Sequence, residues 1–252
     1  MVTTPIVKIK DLSKIYHSLN GETLAISNFS LDVYEGEFIV IVGPSGCGKT
    51  TLLSILAGLI LPSTGEIKYS KNKNTLGYML QEDHLFPWRT ILNNVFLGLE
   101  IQNRDSIENK QKAEQLLKTY GLSKFKNHYP NQLSGGMRQR VALIRTLAIK
   151  PSILLLDEPF SALDSQTRLA VSDDIGSIIK KEKHTAIMVT HDLAEAISLA
   201  DRIILLSKRP AVIKNIYTIK LSGKGNSPIE NRNAPEFMTY YNKIWKELDV
   251  HV

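Results

Sequence analysis

The segment Gly43-Pro-Ser-Gly-Cys-Gly-Lys-Thr50 has the spacing G-x-x-x-x-G-K-[ST]. Glycines at these positions let a backbone curl until successive N–H groups point inward and cradle an anion. Lys49 brings positive charge toward the β- and γ-phosphates of a nucleotide, and Thr50 offers a hydroxyl to Mg²⁺. Gly43, Pro44, Ser45, Gly46, Cys47, Gly48 and Thr51 complete the candidate phosphate site. A second chemical element is the acid pair Asp157-Glu158, which ends the apolar run Ile153 to Leu156. Asp157 is expected to hold Mg²⁺ through its water shell. Glu158 is expected to orient or deprotonate a water, which favours hydrolysis over phosphoryl transfer to a second substrate. His191 follows another short apolar run through Thr190, and at the same sheet edge it is expected to contact the γ-phosphate. Cys47 is the sole cysteine, so an internal disulfide and a zinc site of several thiolates are excluded. Among phosphate-facing amides its thiol is expected to have a lowered pKa and to be reactive.

These groups act together only if strands deliver them to one edge. Phe38 to Val42, Ile153 to Leu156, Ala186 to Val189 and Ile203 to Leu206 are short apolar runs without alternation, as in strands buried on both faces of a parallel sheet. Thr50 to Leu59 reads as a buried helix, and Val171, Ile175, Ile178 and Ile179 mark one face of a helix begun near Asp164. Strand and helix in alternation predict an α/β core. From Glu82 to Lys150 comparable strand runs are missing. Ala113, Leu116, Leu117 and Tyr120 predict one helix there, and Met137, Val141, Ile144 and Ala148 another, so the segment reads as a helical insertion. Pro62 to Asn74 reads as a loop with a short edge strand, Glu66 to Tyr69, and Ser222 to Pro235 as a second boundary. Beyond it, Phe237, Tyr241, Ile244 and Leu248 predict a terminal amphipathic helix, expected to lie on its own domain rather than on a partner.

The chain has 252 residues, 43% of them apolar and 22% charged, with a net charge of +6. That composition excludes wholesale disorder and allows one large domain or two small ones. No apolar stretch approaches the roughly 20 residues of a membrane span, and the opening MVTTPIVKIK lacks a signal peptide's pattern. The basic residues Lys68, Lys71, Lys73, Lys180, Lys181, Lys183, Lys208 and Arg209 are scattered without interleaved aromatics, so they read as solvated surface and no nucleic-acid partner is expected.

Leu133-Ser-Gly-Gly-Met-Arg-Gln139, ahead of Asp157-Glu158, resembles the signature motif of ATP-binding cassette (ABC) ATPases. The resemblance implies an α/β P-loop NTPase with a RecA-like core, an N-terminal antiparallel β subdomain and an inserted α-helical subdomain. It further implies a single domain over 1–252. The core with the β subdomain would take roughly 1–81 and 151–222, the helical subdomain 82–150, and a loop and helix 223–252. By the same resemblance Tyr16 stacks adenine, Gln81 is the Q-loop glutamine that joins the metal, Ser161 to Asp164 form the D-loop, and His191 is the switch histidine. Leu133, Ser134, Gly135, Gly136 and Gln139 would close on the nucleotide held by a second copy, because one chain holds half of each of two pockets. The cofactors implied are ATP and Mg²⁺.

Gln81 to Arg89, Gly135 to Arg140 and Val189 to Asp192 are similar to the family that powers importers of nitrate, sulfonates, taurine and thiamine precursors. That implies membrane permease subunits as partners, a solute-binding protein indirectly, and a peripheral position on the cytoplasmic face of the membrane. With the chain ending at Val252, the extra regulatory domain that some sugar-importer cassettes append is not expected. Leu85, Phe86, Pro87 and Trp88 read equally as part of a groove for a permease helix or as core packing. The alternative class, a nucleic-acid- or ribosome-associated ABC ATPase, lacks its expected coiled coil, zinc cysteines or second cassette.

Overall fold

A computed structural model describes residues 4–19, 21–70, 76–161, 163–222 and 227–248. Lys71 and Lys73, Ala162 of the expected D-loop, residues 223–226 of the second boundary and residues 249–252 lie outside them. In chain order the elements are β1 (Val7–Ser18), β2 (Gly21–Val33), β3 (Phe38–Val42), α1 (Lys49–Ala57), β4 (Thr64–Tyr69), β5 (Leu76–Met79), α2 (Ile91–Ile101), α3 (Ile107–Thr119), α4 (Gly135–Ala148), β6 (Ile153–Asp157), α5 (Ser165–Lys181), β7 (Thr185–Thr190), α6 (Leu193–Leu199), β8 (Arg202–Leu206), β9 (Ile213–Thr218), α7 (Pro228–Arg232) and α8 (Phe237–Glu247).

The four apolar runs become β3, β6, β7 and β8. Among the described residues they join β5 and β9 in one sheet of order β5-β6-β7-β3-β8-β9, parallel except for the β8–β9 pair. Continuous hydrophobicity is needed because successive side chains alternate between two cores. Phe38, Val40, Leu154, Leu156 and Met188 share a core with helices α2 to α6 and α8. Ile39, Ile41, Leu155, Ile187 and Ile204 face α1 and a second sheet. That second sheet is antiparallel, in the order β2-β1-β4, and β4 is the predicted edge strand lengthened by two residues.

Two backbone bonds tie the sheets together beside the 43–50 loop: Ser27 N–H to Ala211 O at 3.0 Å, and Ala211 N–H to Ala25 O at 2.9 Å. The sequence pattern of β1 and β2 is hard to read because both are bulged, with Asp11 and Asn28 at positive φ, so alternation breaks mid-strand. The helix expected from Thr50 to Leu59 starts at Lys49 and stops at Ala57, where Gly58 turns left-handed (φ 75°) and its N–H returns to Ile55 O and Ser54 O. α8 folds back onto its own chain, burying Phe237, Ile244 and Leu248. Among the described residues no helix is long and apolar enough to cross a membrane.

The α5 helix, which follows Asp164, is fixed by close packing at Gly176. A Cβ there would lie 2.1 Å from Leu199 Cδ2 and 2.9 Å from Pro228 Cγ. Gly176→Ala is therefore expected to destabilise the fold. Overpacking costs about 1–3 kcal/mol, against a gain of about 0.5–1 kcal/mol in helix propensity. Thermal denaturation should show Tm lower by roughly 2–8 °C, and an unchanged or raised Tm would mean that Leu199 yields without cost.

Candidate active site

β3 ends at Val42, and the chain turns at once through the 43–48 loop into α1, so the helix N-terminus faces the loop's inner side. Gly48 is required by backbone: its φ is 124°, and a Cβ would lie 3.2 Å from Ala25 O. Lys49, almost fully buried, curls back to donate from Nζ to Gly43 O at 2.8 Å and Pro44 O at 3.1 Å. A cavity of about 290 Å³ is lined by Ser45, Gly46, Gly48, Lys49, Thr50 and Thr51, with Glu158 and Arg209 completing its wall. The Cys47 side chain turns away from this cavity into the core, and its N–H donates to Pro44 O at 3.2 Å. Burial pushes the thiol pKa up and outweighs the opposing charges of Lys49 and Arg209. The expectation of a reactive, low-pKa cysteine is thus overturned.

Strand register brings the acids to this cavity. Val42 pairs with Thr190, Asp157 with Val189, and Met79 with Leu156, so the residues that follow each strand share one edge. Thr50 Oγ1 donates to Asp157 Oδ1 at 3.1 Å, and the Tyr78 hydroxyl donates to Asp157 Oδ2 at 3.2 Å. Burial raises the Asp157 pKa, while these two donors favour the carboxylate. Burial also pushes the Tyr78 hydroxyl to about 12, so it remains a donor. Glu158 holds a left-handed φ of 42°, braced by its N–H to Val189 O at 3.0 Å and by Ser161 Oγ donating to its carbonyl at 3.0 Å. This conformation points its Oε2 at His191 Nδ1, 3.0 Å away. A carboxylate only accepts, so Nδ1 carries the proton and Nε2 is the nitrogen left for another partner.

A phosphate cradle, a hydroxyl and carboxylate in contact, and a glutamate–histidine pair on one sheet edge are the parts of a nucleotide-hydrolysing site. Residues 26–161, over half of the chain, match the family model described as ABC transporter. The chain belongs to the ABC transporter ATP-binding family. It is 46% identical over 246 residues to the uncharacterised ABC transporter ATP-binding protein YtlC of Bacillus subtilis, covering 96% of this chain and 95% of that one. The nitrate import ATP-binding protein NrtD of Synechocystis sp. is 39% identical over 248 residues, covering 94% of this chain and 93% of the relative. A solved dimer of the ATP-binding cassette MJ0796, in a post-hydrolysis state bound to ADP and Pi, superposes with a TM-score of 0.73 at 34% identity, covering 85% of this chain and 99% of that one. The chain is accordingly an ATP-binding ABC ATPase with the P-loop ABC fold.

The remaining ABC motif residues fall in different surroundings. Tyr16 is exposed on β1 with Lys14 Nζ 5.1 Å from its ring centroid, and it does not line the 290 Å³ cavity. Gln81 is exposed just beyond β5, its Nε2 donating to Ser161 Oγ at 3.3 Å, and it does not line that cavity either. Ser134 caps α4 by accepting from Met137 N–H at 3.3 Å, and Asp164 caps α5 by accepting from Thr167 N–H at 3.1 Å. Leu133 is buried, and Gly135 lies 3.4 Å, measured from an added Cβ, from Leu163. Gly136 is a packing residue: a Cβ would stand 2.7 Å from Thr167 Cγ2, so α4 rests directly on α5. Gln139 is buried, donating to Gln81 O at 3.3 Å; it joins the signature helix to the Q-loop within one chain.

Sequence reasoning missed four contributors. Tyr78 is one, masked by its place in a four-residue strand. Asn94, fully buried, donates to the carbonyls of Phe86, Arg89 and Thr90 and accepts from Phe86 N–H, so it fixes the 86–90 turn. Arg209, read as scattered surface charge, donates to Gly46 O at 2.7 Å. Glu195 lies buried below the His191 turn, accepting from Thr190 Oγ1 at 2.9 Å. A second cavity, about 440 Å³, runs from Pro44 and Ser45 past His191 and Arg168 to Tyr241 and Trp245 of α8.

Burial, then repulsion from Asp192, raises the Glu195 pKa from the ordinary 4.5 to about 7, against the Thr190 hydrogen bond and the charges of Arg168 and Arg232. Between these values the folded chain holds a proton that the unfolded chain has lost, so stability falls as pH rises through this window. Glu195→Gln, which keeps the acceptor without a charge, should raise Tm above wild type at about pH 8 and match it near pH 5, read by thermal denaturation. Equal pH dependence in both proteins would refute the buried acid. Cys47 should resist iodoacetamide in the folded protein and react once unfolded, as intact mass will report; rapid labelling of the folded protein would contradict its burial.

Proposed function

We propose that this ATPase is the energy-supplying subunit of an importer for a small nutrient of the nitrate or sulfonate class. It would sit peripherally on the cytoplasmic face of the membrane, against permease subunits that receive solute from a binding protein. The observation that carries the hydrolytic part is the convergence of Lys49, Thr50, Asp157, Glu158 and His191 on one edge, with Glu158 held by its left-handed backbone against His191. Similarity to a nitrate import protein over nearly the whole chain supports the import reading.

In this mechanism the backbone N–H groups of Ser45, Gly46, Gly48, Lys49, Thr50 and Thr51 and the Lys49 ammonium bind the phosphates of ATP, while Gly43, Pro44 and Cys47 shape the loop. Tyr16 stacks the adenine. Thr50 and Asp157, whose oxygens are 3.1 Å apart, are hard donors of the kind magnesium takes, and with Gln81 they would hold Mg²⁺. That ion supplies charge neutralisation at the phosphates when bound. Glu158 accepts the proton of the attacking water, and His191, held at Nδ1 by Glu158, donates to the γ-phosphate from Nε2–H as the imidazolium, leaving ADP and phosphate.

Each site is completed in trans by a second copy packed head to tail, through Ser134 and Gly135 at the start of α4 and the D-loop Asp164, whereas Leu133, Gly136 and Gln139, expected to join them, are buried in their own chain and position that segment. The solved MJ0796 dimer supports this pairing. We divide the single domain at 1–81 and 151–222 for the core with the β subdomain, 82–150 for the helical subdomain and 223–252 for the loop and last helix. Trp88, 71% exposed and stacked on Phe86 at 4.9 Å, supports a permease-facing surface, whereas Leu85 is core.

Glu158→Gln is expected to bind ATP as wild type does, to lose about 10²-fold or more in turnover, and to accumulate as an ATP-bound dimer in light scattering. Wild-type turnover in this variant would remove Glu158 from the chemistry, and a monomer at saturating Mg-ATP would remove the paired site.

A further inference from the structure

Arg209 has no role in the mechanism above, yet its guanidinium lines the same cavity as Lys49, Thr50 and Thr51. It stands on the β8–β9 connection, which is held rigidly. Ser207 Oγ donates to Pro210 O at 2.9 Å and accepts from Val212 N–H at 3.0 Å, and Ala211 is bridged to β2. Arg209 Nη2 donates to Gly46 O at 2.7 Å. This bond holds one end of the guanidinium at the loop, and among the described residues its other N–H donors make no hydrogen bond. Among the described residues no carboxylate lies within 4.0 Å of it. Its charge reaches into the loop, where it works with Lys49 against the burial of Cys47. A fixed guanidinium and an ammonium lining one cavity, where Glu158 is the single carboxylate in the wall, leave net positive charge there, an arrangement that favours a polyanion.

We propose that Arg209 is a further phosphate-binding residue of the nucleotide site, donating to a phosphate oxygen of ATP from the β8–β9 side. The proposal rests on reading the 43–51 loop as the phosphate cradle.

The test is isothermal titration of wild type, Arg209→Ala, Arg209→Lys and Lys49→Ala with ATP and with inorganic tripolyphosphate, which has no base. Arg209→Ala should weaken both ligands by a similar factor, roughly 10- to 100-fold, the scale of a charge-assisted hydrogen bond. Arg209→Lys should recover part of the loss. The Tm of each Arg209 variant without nucleotide should stay within about 2 °C of wild type, as for a surface substitution. Wild-type affinity in Arg209→Ala, with binding lost in Lys49→Ala, overturns the proposal alone. Weakened binding accompanied by a large fall in Tm and no recovery in Arg209→Lys also overturns it, since Arg209 would then only brace the loop. Wild-type affinity in Lys49→Ala would instead overturn the cradle reading itself.

Discussion

Parallel pairing of β6, β7 and β3 sets Asp157 beside Val189 and Thr190 beside Val42, and with them the geometry of the whole catalytic edge. A parallel ladder gathers carboxyl ends, so three loops of unrelated sequence meet where the strands stop. A slip of one residue would send Asp157 to the opposite face, away from Thr50 and Tyr78, and would exchange the two hydrophobic cores. The continuous apolar runs therefore do more than fill the interior. Val, Ile, Leu and Met on both faces make the register costly to change, and the acids inherit their position from it.

From that edge a continuous set of hydrogen bonds leads outward. The Glu158 carbonyl accepts from Ser161, whose hydroxyl also receives Gln81, and the Gln81 carbonyl receives buried Gln139 of α4. The same helix holds the next residues of the Q-loop: Arg138 meets Asp83 at 2.9 Å, and Arg145 donates to the carbonyls of Asp83 and His84 at 2.7 Å each. Asn94 then shapes the turn that presents Trp88. Glu158 and the exposed aromatic surface are thus joined through backbone carbonyls and three side chains of one helix, and that helix is seated on α5 at Gly136 without room for a methyl group.

Much of this was legible in the residues. The four buried strands, the helix after the phosphate loop, the acid pair and the last amphipathic helix all follow from periodicity and from motifs with a mechanical reason. What escaped is long-range or conformational. Tyr78 reaches Asp157 only because β5 pairs with β6, and the spacing of the two residues carries no trace of that pairing. The Cys47 thiol was misread because the motif fixes the direction of its backbone amide, not of its side chain, which points into the core. Arg209 looked like solvated surface because nothing local marks the loop that brings it to Gly46. Bulges at Asp11 and Asn28 hid β1 and β2 from any test of alternation.

The aromatic pair on α8 has a practical consequence. Tyr241 and Trp245 are stacked at 6.1 Å with their planes 7° apart, and they wall a cavity whose far side is Pro44 and His191. Trp245 is half exposed there, and the sequence contains two tryptophans in all. With the indole of Trp88 replaced by phenylalanine, light absorbed by indole but not by the nine tyrosines would excite one ring beside Pro44 and His191, an optical gauge of hydration there that requires no added dye.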